Sequence, residues 1–229
     1  MKTSITLRFL LLVLTAMVGC AAPPELTTQE AAPFHVVLGS NNYGYPASQV
    51  QLISSVQGER FETRHSKLRY PECMSGYLEF VEFSGLLDSS AVAALGGLVQ
   101  NIQPCVRKNG SRVVSPVYMN SVQGELALGM QVGQWFKTQS IELVVTEGQL
   151  CESACAVAFL GASFKRVQAT GRAILHFNGE QGRGLDCARS TDMMPFKSYL
   201  IAVKGNQAGQ NLYNQALTYC RSGKGWDLS

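Results

Sequence analysis

The residues of this chain best suited to chemistry are Cys151-Glu152-Ser153-Ala154-Cys155 and a downstream imidazole, His176. A serine hydroxyl is a poor nucleophile until a base takes its proton, and the oxyanion then formed on an acyl carbon needs a backbone N–H to stabilise it. Ser153 opens a run of small and apolar residues that reads as a helix, so the Ala154 N–H would be left unused by that helix and point outward. The plainer role for such a serine is to cap the helix. His176 ends the strand-like Ala173-Ile174-Leu175, at the edge where a base for Ser153 should sit. Its plainer role is a packed ring bonded to backbone. Asn120-Ser121-Val122-Gln123-Gly124 closes another apolar strand. A glycine turn there could offer N–H groups to an anion, although asparagine and glycine mark any strand-to-helix turn.

Cysteine usage and the N-terminus set the compartment. Lys2 and Arg8 are the only charges before an apolar stretch, residues 9–18, which is too short to span a bilayer. It ends in Met17-Val18-Gly19-Cys20, the pattern of a bacterial lipoprotein signal in which Cys20 becomes the acylated first residue. An ordinary secretory signal cut nearby is the alternative. Ala21, rather than an aspartate, follows the cysteine, as in lipoproteins sent to the outer membrane. Without residues 1–19 the chain keeps 17 basic and 16 acidic residues, a balance that argues against a nucleic-acid partner. Of seven cysteines, six remain once Cys20 is assigned to lipid: Cys73, Cys105, Cys151, Cys155, Cys187 and Cys220. An even set in an oxidising compartment suggests up to three disulfides, and sequence alone leaves fifteen pairings. A zinc site of Cys151, Cys155 and His176 is the competing use, but it lacks a fourth ligand and the usual paired spacing.

The elements that must position these groups follow from periodicity. Residues 1–19 read as the signal, 20–33 as a tether, 34–72 as an irregular N-terminal extension with short strands at 35–38 and 50–56, and 73–229 as one α/β domain. Strands are predicted at 77–83, 113–119, 141–146 and 173–177, and helices at 89–102, capped by Ser89 or Ser90, then 126–136, 153–160, 193–203 and 211–219. Four alternations of strand and helix predict a mainly parallel sheet with right-handed crossovers. Ligand sites of such sheets lie beyond the carboxyl ends of the strands, where Asn120, Ser153 and His176 fall.

On three of these stretches the chain resembles the Clp-protease/crotonase superfamily, and within it a set of periplasmic proteins related to the Clp protease proteolytic subunit. Asn120-Ser121-x-x-Gly124-x-x-x-x-Gly129 resembles the family's N-S-P-G-G-x-x-x-x-G turn, Cys151-x-Ser153-Ala154-Cys155-Ala156 its C-x-S-A-C-A segment, and residues 172–177 the strand ending in its histidine. The likeness spans roughly residues 77–177. It implies a ClpP/crotonase-like spiral of βαβ units, Ser153 as nucleophile, His176 as base, and an oxyanion hole from Gln123, Gly124 and Ala154. The family's acid, by spacing, implies Asp227, with Asp186 and Asp192 as other candidates. Val122-Gln123 replaces the family's Pro-Gly, so a backbone needing positive φ would be strained at Gln123. In the same picture Cys73 pairs with Cys105, Cys187 with Cys220, and Cys151 with Cys155 around the serine.

The expectation is a membrane-anchored cell-envelope serine hydrolase acting on peptide or protein, without cofactor or metal and open to homo-oligomerisation. A catalytically inactive binding or assembly module is the alternative. A crotonase-type enzyme would need coenzyme A, which is not expected outside the cytoplasm, and neither is an ATP-driven partner.

Overall fold

The computed structural model describes residues 34–38, 41–45, 49–139, 141–177 and 185–229, the first two segments and positions 190 and 192 as backbone only. The signal, Cys20 and the tether lie outside the described residues.

In chain order the elements are β1 (Phe34–Leu38), β2 (Asn41–Tyr45), β3 (Val50–Gln57), β4 (Phe61–Arg69), β5 (Tyr77–Gly85), α1 (Ser89–Gln100), β6 (Cys105–Val106), β7 (Arg112–Val113), β8 (Pro116–Asn120), α2 (Leu126–Gln139), β9 (Glu142–Val145), β10 (Leu150–Glu152), α3 (Ala154–Gly161), β11 (Phe164–Val167), β12 (Arg172–Leu175), α4 (Ser190–Lys204), α5 (Asn206–Ser222) and β13 (Trp226–Asp227). The central sheet has six strands in the order β11-β9-β8-β5-β4-β3. Its β5, β8, β9 and β11 run parallel, while β3 and β4 join them antiparallel. A small second sheet sets β10 parallel to β12 and β12 antiparallel to β13. The protein is thus mixed α/β with a mainly parallel central sheet, as the alternation of elements predicts.

Burial explains which strands are readable. All of β9 and the first four residues of β8 are buried, the continuous apolar run of a strand covered on both faces. β4, by contrast, falls in the stretch expected to be irregular, yet it is a nine-residue strand. Its buried face carries Phe61 but also Thr63 and His65. Those polar groups are satisfied: Thr63 Oγ1 donates to the Glu82 carbonyl (3.1 Å) and His65 Nε2 lies 2.9 Å from Glu79 Oε2. The predicted strand at 113–119 divides in two, because Arg112–Val113 pairs with Cys105–Val106 while Pro116–Asn120 enters the sheet.

Helix α1 is capped by Asp88 rather than Ser89 or Ser90. Its Oδ1 accepts from the Ala91 N–H (2.9 Å) and from the Ser90 hydroxyl (2.6 Å). Helix α3 is buried at every residue, so it is a core helix rather than an amphipathic one. It can pack tightly because α2 presents Gly129 and Gly133 to it. A Cβ at Gly129 would meet the Ala154 carbonyl oxygen and lie 2.8 Å from its Cα, and one at Gly133 would lie 3.0 Å from the Ala158 Cα. Tyr199 of α4, whose hydroxyl a Cβ at Gly133 would also meet, donates to the Val157 carbonyl at 2.7 Å.

Candidate active site

Ser153 sits at a sharp strand-to-helix turn with φ 54° and ψ −120°. Ser153 and Ala169 are the two non-glycine residues with positive φ among the described residues. Such a conformation costs on the order of 1–3 kcal/mol and persists only where the surroundings over-determine it. Several contacts do so here. Ser121 N–H donates to the Leu150 carbonyl and Glu152 N–H to the Ser121 carbonyl, both at 2.8 Å, while Asn120 Oδ1 accepts from Leu150 N–H at 3.2 Å. The Cys151–Cys155 disulfide, its Cα atoms 5.0 Å apart, brackets the turn. A strained serine between a strand and a helix is also the geometry of the nucleophile turn in α/β-hydrolases.

The side chain does not cap. Ser153 makes no capping bond to α3, and its Oγ instead points to the Gly124 carbonyl at 3.5 Å, the outer limit of a hydrogen bond. Ala154 is the first residue of α3, so its N–H has no acceptor within the helix. Gly124 lies directly against it, since a Cβ there would be 2.8 Å from the Ala154 Cβ and from the Leu87 Cβ. The turn thus requires glycine at 124. Gln123 is not among the positive-φ residues, so the strain expected at its Cβ does not arise. Its carbonyl accepts from Leu87 N–H (3.1 Å) and from the Ser121 hydroxyl (3.0 Å), which holds the turn in place.

His176 follows β12, whose parallel register pairs Glu152 with Ile174. Neighbouring strand ends, about 4.8 Å apart, therefore carry the serine and the histidine. The His176 side chain is 42% exposed, and its Nε2 lies 3.4 Å from Glu152 Oε2. It is therefore not the packed ring of the plainer reading. No hydrogen bond joins Ser153 to His176 among the described residues, and Ser153 itself is only 4% exposed.

The acids fall as follows. Asp227 pairs across β13 with Ile174, but its carboxylate receives Arg172 Nη2 at 2.9 Å and the Ser229 N–H at 3.0 Å. The Arg172 hydrogen bond, with those from Ser229, holds it below the usual carboxylate range. Asp186 accepts from Arg189 and from the Ala188 N–H, each at 3.0 Å. The Asp192 side chain lies outside the described residues. The carboxylate that meets His176 is Glu152, which no sequence motif singles out. A signal exists in principle: a strand alternates its faces, so a residue paired with Ile174 shares a face with His176.

All six downstream cysteines are paired as Cys73–Cys105, Cys151–Cys155 and Cys187–Cys220. Cys151 and Cys155 are bonded to each other, which removes both thiolates from the competing zinc site. Among the described residues no cluster of three or more His, Cys, Asp or Glu could hold a metal ion. The bridges fit a location outside the reducing cytoplasm. No helix among the described residues is long and apolar enough to cross a membrane. No protein-family model and no curated protein sequence matches the chain.

Proposed function

We propose that this protein is a cell-envelope serine hydrolase, a peptidase of the Clp-protease/crotonase type, with Ser153 as nucleophile and His176 as base. One observation carries the reading: Ser153 holds φ 54° and ψ −120° without capping the helix it precedes. A serine retained only as a cap would sit in extended backbone and accept an amide. In the proposed reaction the Ser153 hydroxyl leaves the Gly124 carbonyl, a small loss at 3.5 Å, and turns toward His176. The imidazole takes its proton as Oγ bonds to the peptide carbonyl carbon. The Ala154 N–H and the Gly124 turn face the resulting oxyanion. The imidazolium then protonates the leaving amine, and a water hydrolyses the acyl-enzyme by the same path in reverse. Anchoring through Cys20, a peptide or protein substrate and self-association belong to this reading.

A fluorophosphonate probe should label Ser153 of the folded chain, and Ser153→Ala should abolish labelling, a loss of at least about 1,000-fold. Absence of labelling in a folded, disulfide-intact wild-type sample would sink the assignment. A second reading, a catalytically inactive binding or assembly module, is favoured by the burial of Ser153 at 4% exposure. Under it Ser153→Ala leaves partner capture and cellular phenotype unchanged.

A further inference from the structure

We infer that Glu152, not Asp227, is the positioning residue that holds the His176 ring, a role that rests on the hydrolase reading above. Three elements meet at that ring. On β12, Ala173 and Leu175 are buried against the core, so Arg172, Ile174 and His176 share the opposite face. The parallel partner β10 places Glu152 beside Ile174 on that same face, and its carboxylate reaches His176 Nε2 at 3.4 Å. The antiparallel partner β13 places Asp227 beside Ile174 from the other side, where Arg172 takes its Oδ2. Gly225 stands against the opposite edge of the ring, where a Cβ would lie 3.5 Å from Nδ1.

The charges on this face are therefore sorted into two pairs, Arg172 with Asp227 and His176 with Glu152. Asp227 already serves a guanidinium. Glu152 is only 19% exposed, well placed to fix the ring's orientation and to stabilise the imidazolium formed when Ser153 gives up its proton. In the proposed reaction Ser153 Oγ gives its proton to the His176 ring, and Glu152 takes no proton itself but fixes where that ring stands. The nucleophile and the group that orients its base would then be consecutive residues, held by one turn.

The test compares fluorophosphonate labelling rates of the full chain at one neutral pH in the wild type, Glu152→Gln, Glu152→Asp and Asp227→Asn. Glu152→Gln is expected to label about tenfold or more slowly, since the ring loses the carboxylate that orients it. Glu152→Asp should recover most of the rate, and Asp227→Asn should stay within about threefold of wild type. A wild-type rate in Glu152→Gln overturns the role, as do failure of Glu152→Asp to recover the rate and transfer of the loss to Asp227→Asn. If Glu152→Gln does not fold, Asp227→Asn decides: a near-wild-type rate sustains Glu152 and a lost one overturns it. Failure of the wild type itself to label overturns the hydrolase reading instead, so the two failures are distinct.

Discussion

The Cys73–Cys105 and Cys151–Cys155 bridges mark two regions held in different ways. The first closes a separation of 32 residues and ties the β4–β5 connection to β6, beside a core of Leu68, Leu78, Phe80 and Tyr118. No non-glycine residue with positive φ occurs in the described part of that region. The second closes a separation of four residues around a serine at φ 54°. Loop-closure entropy grows with loop length, so the long bridge acts mainly on the unfolded chain and supports the whole fold. The short one gains about half as much that way. Its effect is local: it restrains a backbone that would otherwise relax.

Removing each bridge should separate these roles. Cys73→Ala with Cys105→Ala should cost about 4 kcal/mol in denaturant unfolding, yet leave the labelling rate of the surviving folded fraction unchanged. Cys151→Ala with Cys155→Ala should cost only about 2 kcal/mol by the same loop argument. Its labelling rate should fall by about tenfold or more, because a relaxed Ser153 no longer presents its hydroxyl. Equal labelling in the two double variants would erase the distinction. Asp88 is the smallest test and sits at the joint. It caps α1, pairs with Arg60 at 3.6 Å, and is followed by the helix that packs on both β4 and β5. Asp88→Ala should cost about 1 kcal/mol. The Ser90 hydroxyl, then the Ala91 amide, hold the Asp88 carboxyl below its ordinary range. A depressed carboxylate stabilises the fold above the unfolded-state range, and that contribution disappears as pH falls through the lowered value. Melting curves of wild type and variant should therefore converge in acid.

The two regions also differ in how plainly the chain announces them. β8 and β9 are readable because parallel strands buried on both faces leave apolar runs. β4 is not, because its buried face spends positions on Thr63 and His65, whose partners Glu82 and Glu79 lie on the neighbouring strand. Ser153 and His176 can be singled out from local pattern, each standing at an element end. Glu152 cannot be singled out that way. Its contact with His176 depends on the β10–β12 register, which links segments 22 residues apart in the chain. Asp227 illustrates the opposite failure. Spacing points to it, but Arg172 is nearer in the fold and claims it. Local pattern also favours the serine neighbours of Asp88 as the cap of α1, although aspartate, serine and asparagine serve about equally well at such positions.

Because Cys151 and Cys155 flank Ser153, how the protein is produced bears on any assay of it. Material made in a reducing cytosol would carry two free thiols there and a serine able to slip into ordinary backbone. Such a sample could pass every check for purity and helix content and still read as inert. Thiol counting should therefore come before any activity measurement in a test tube.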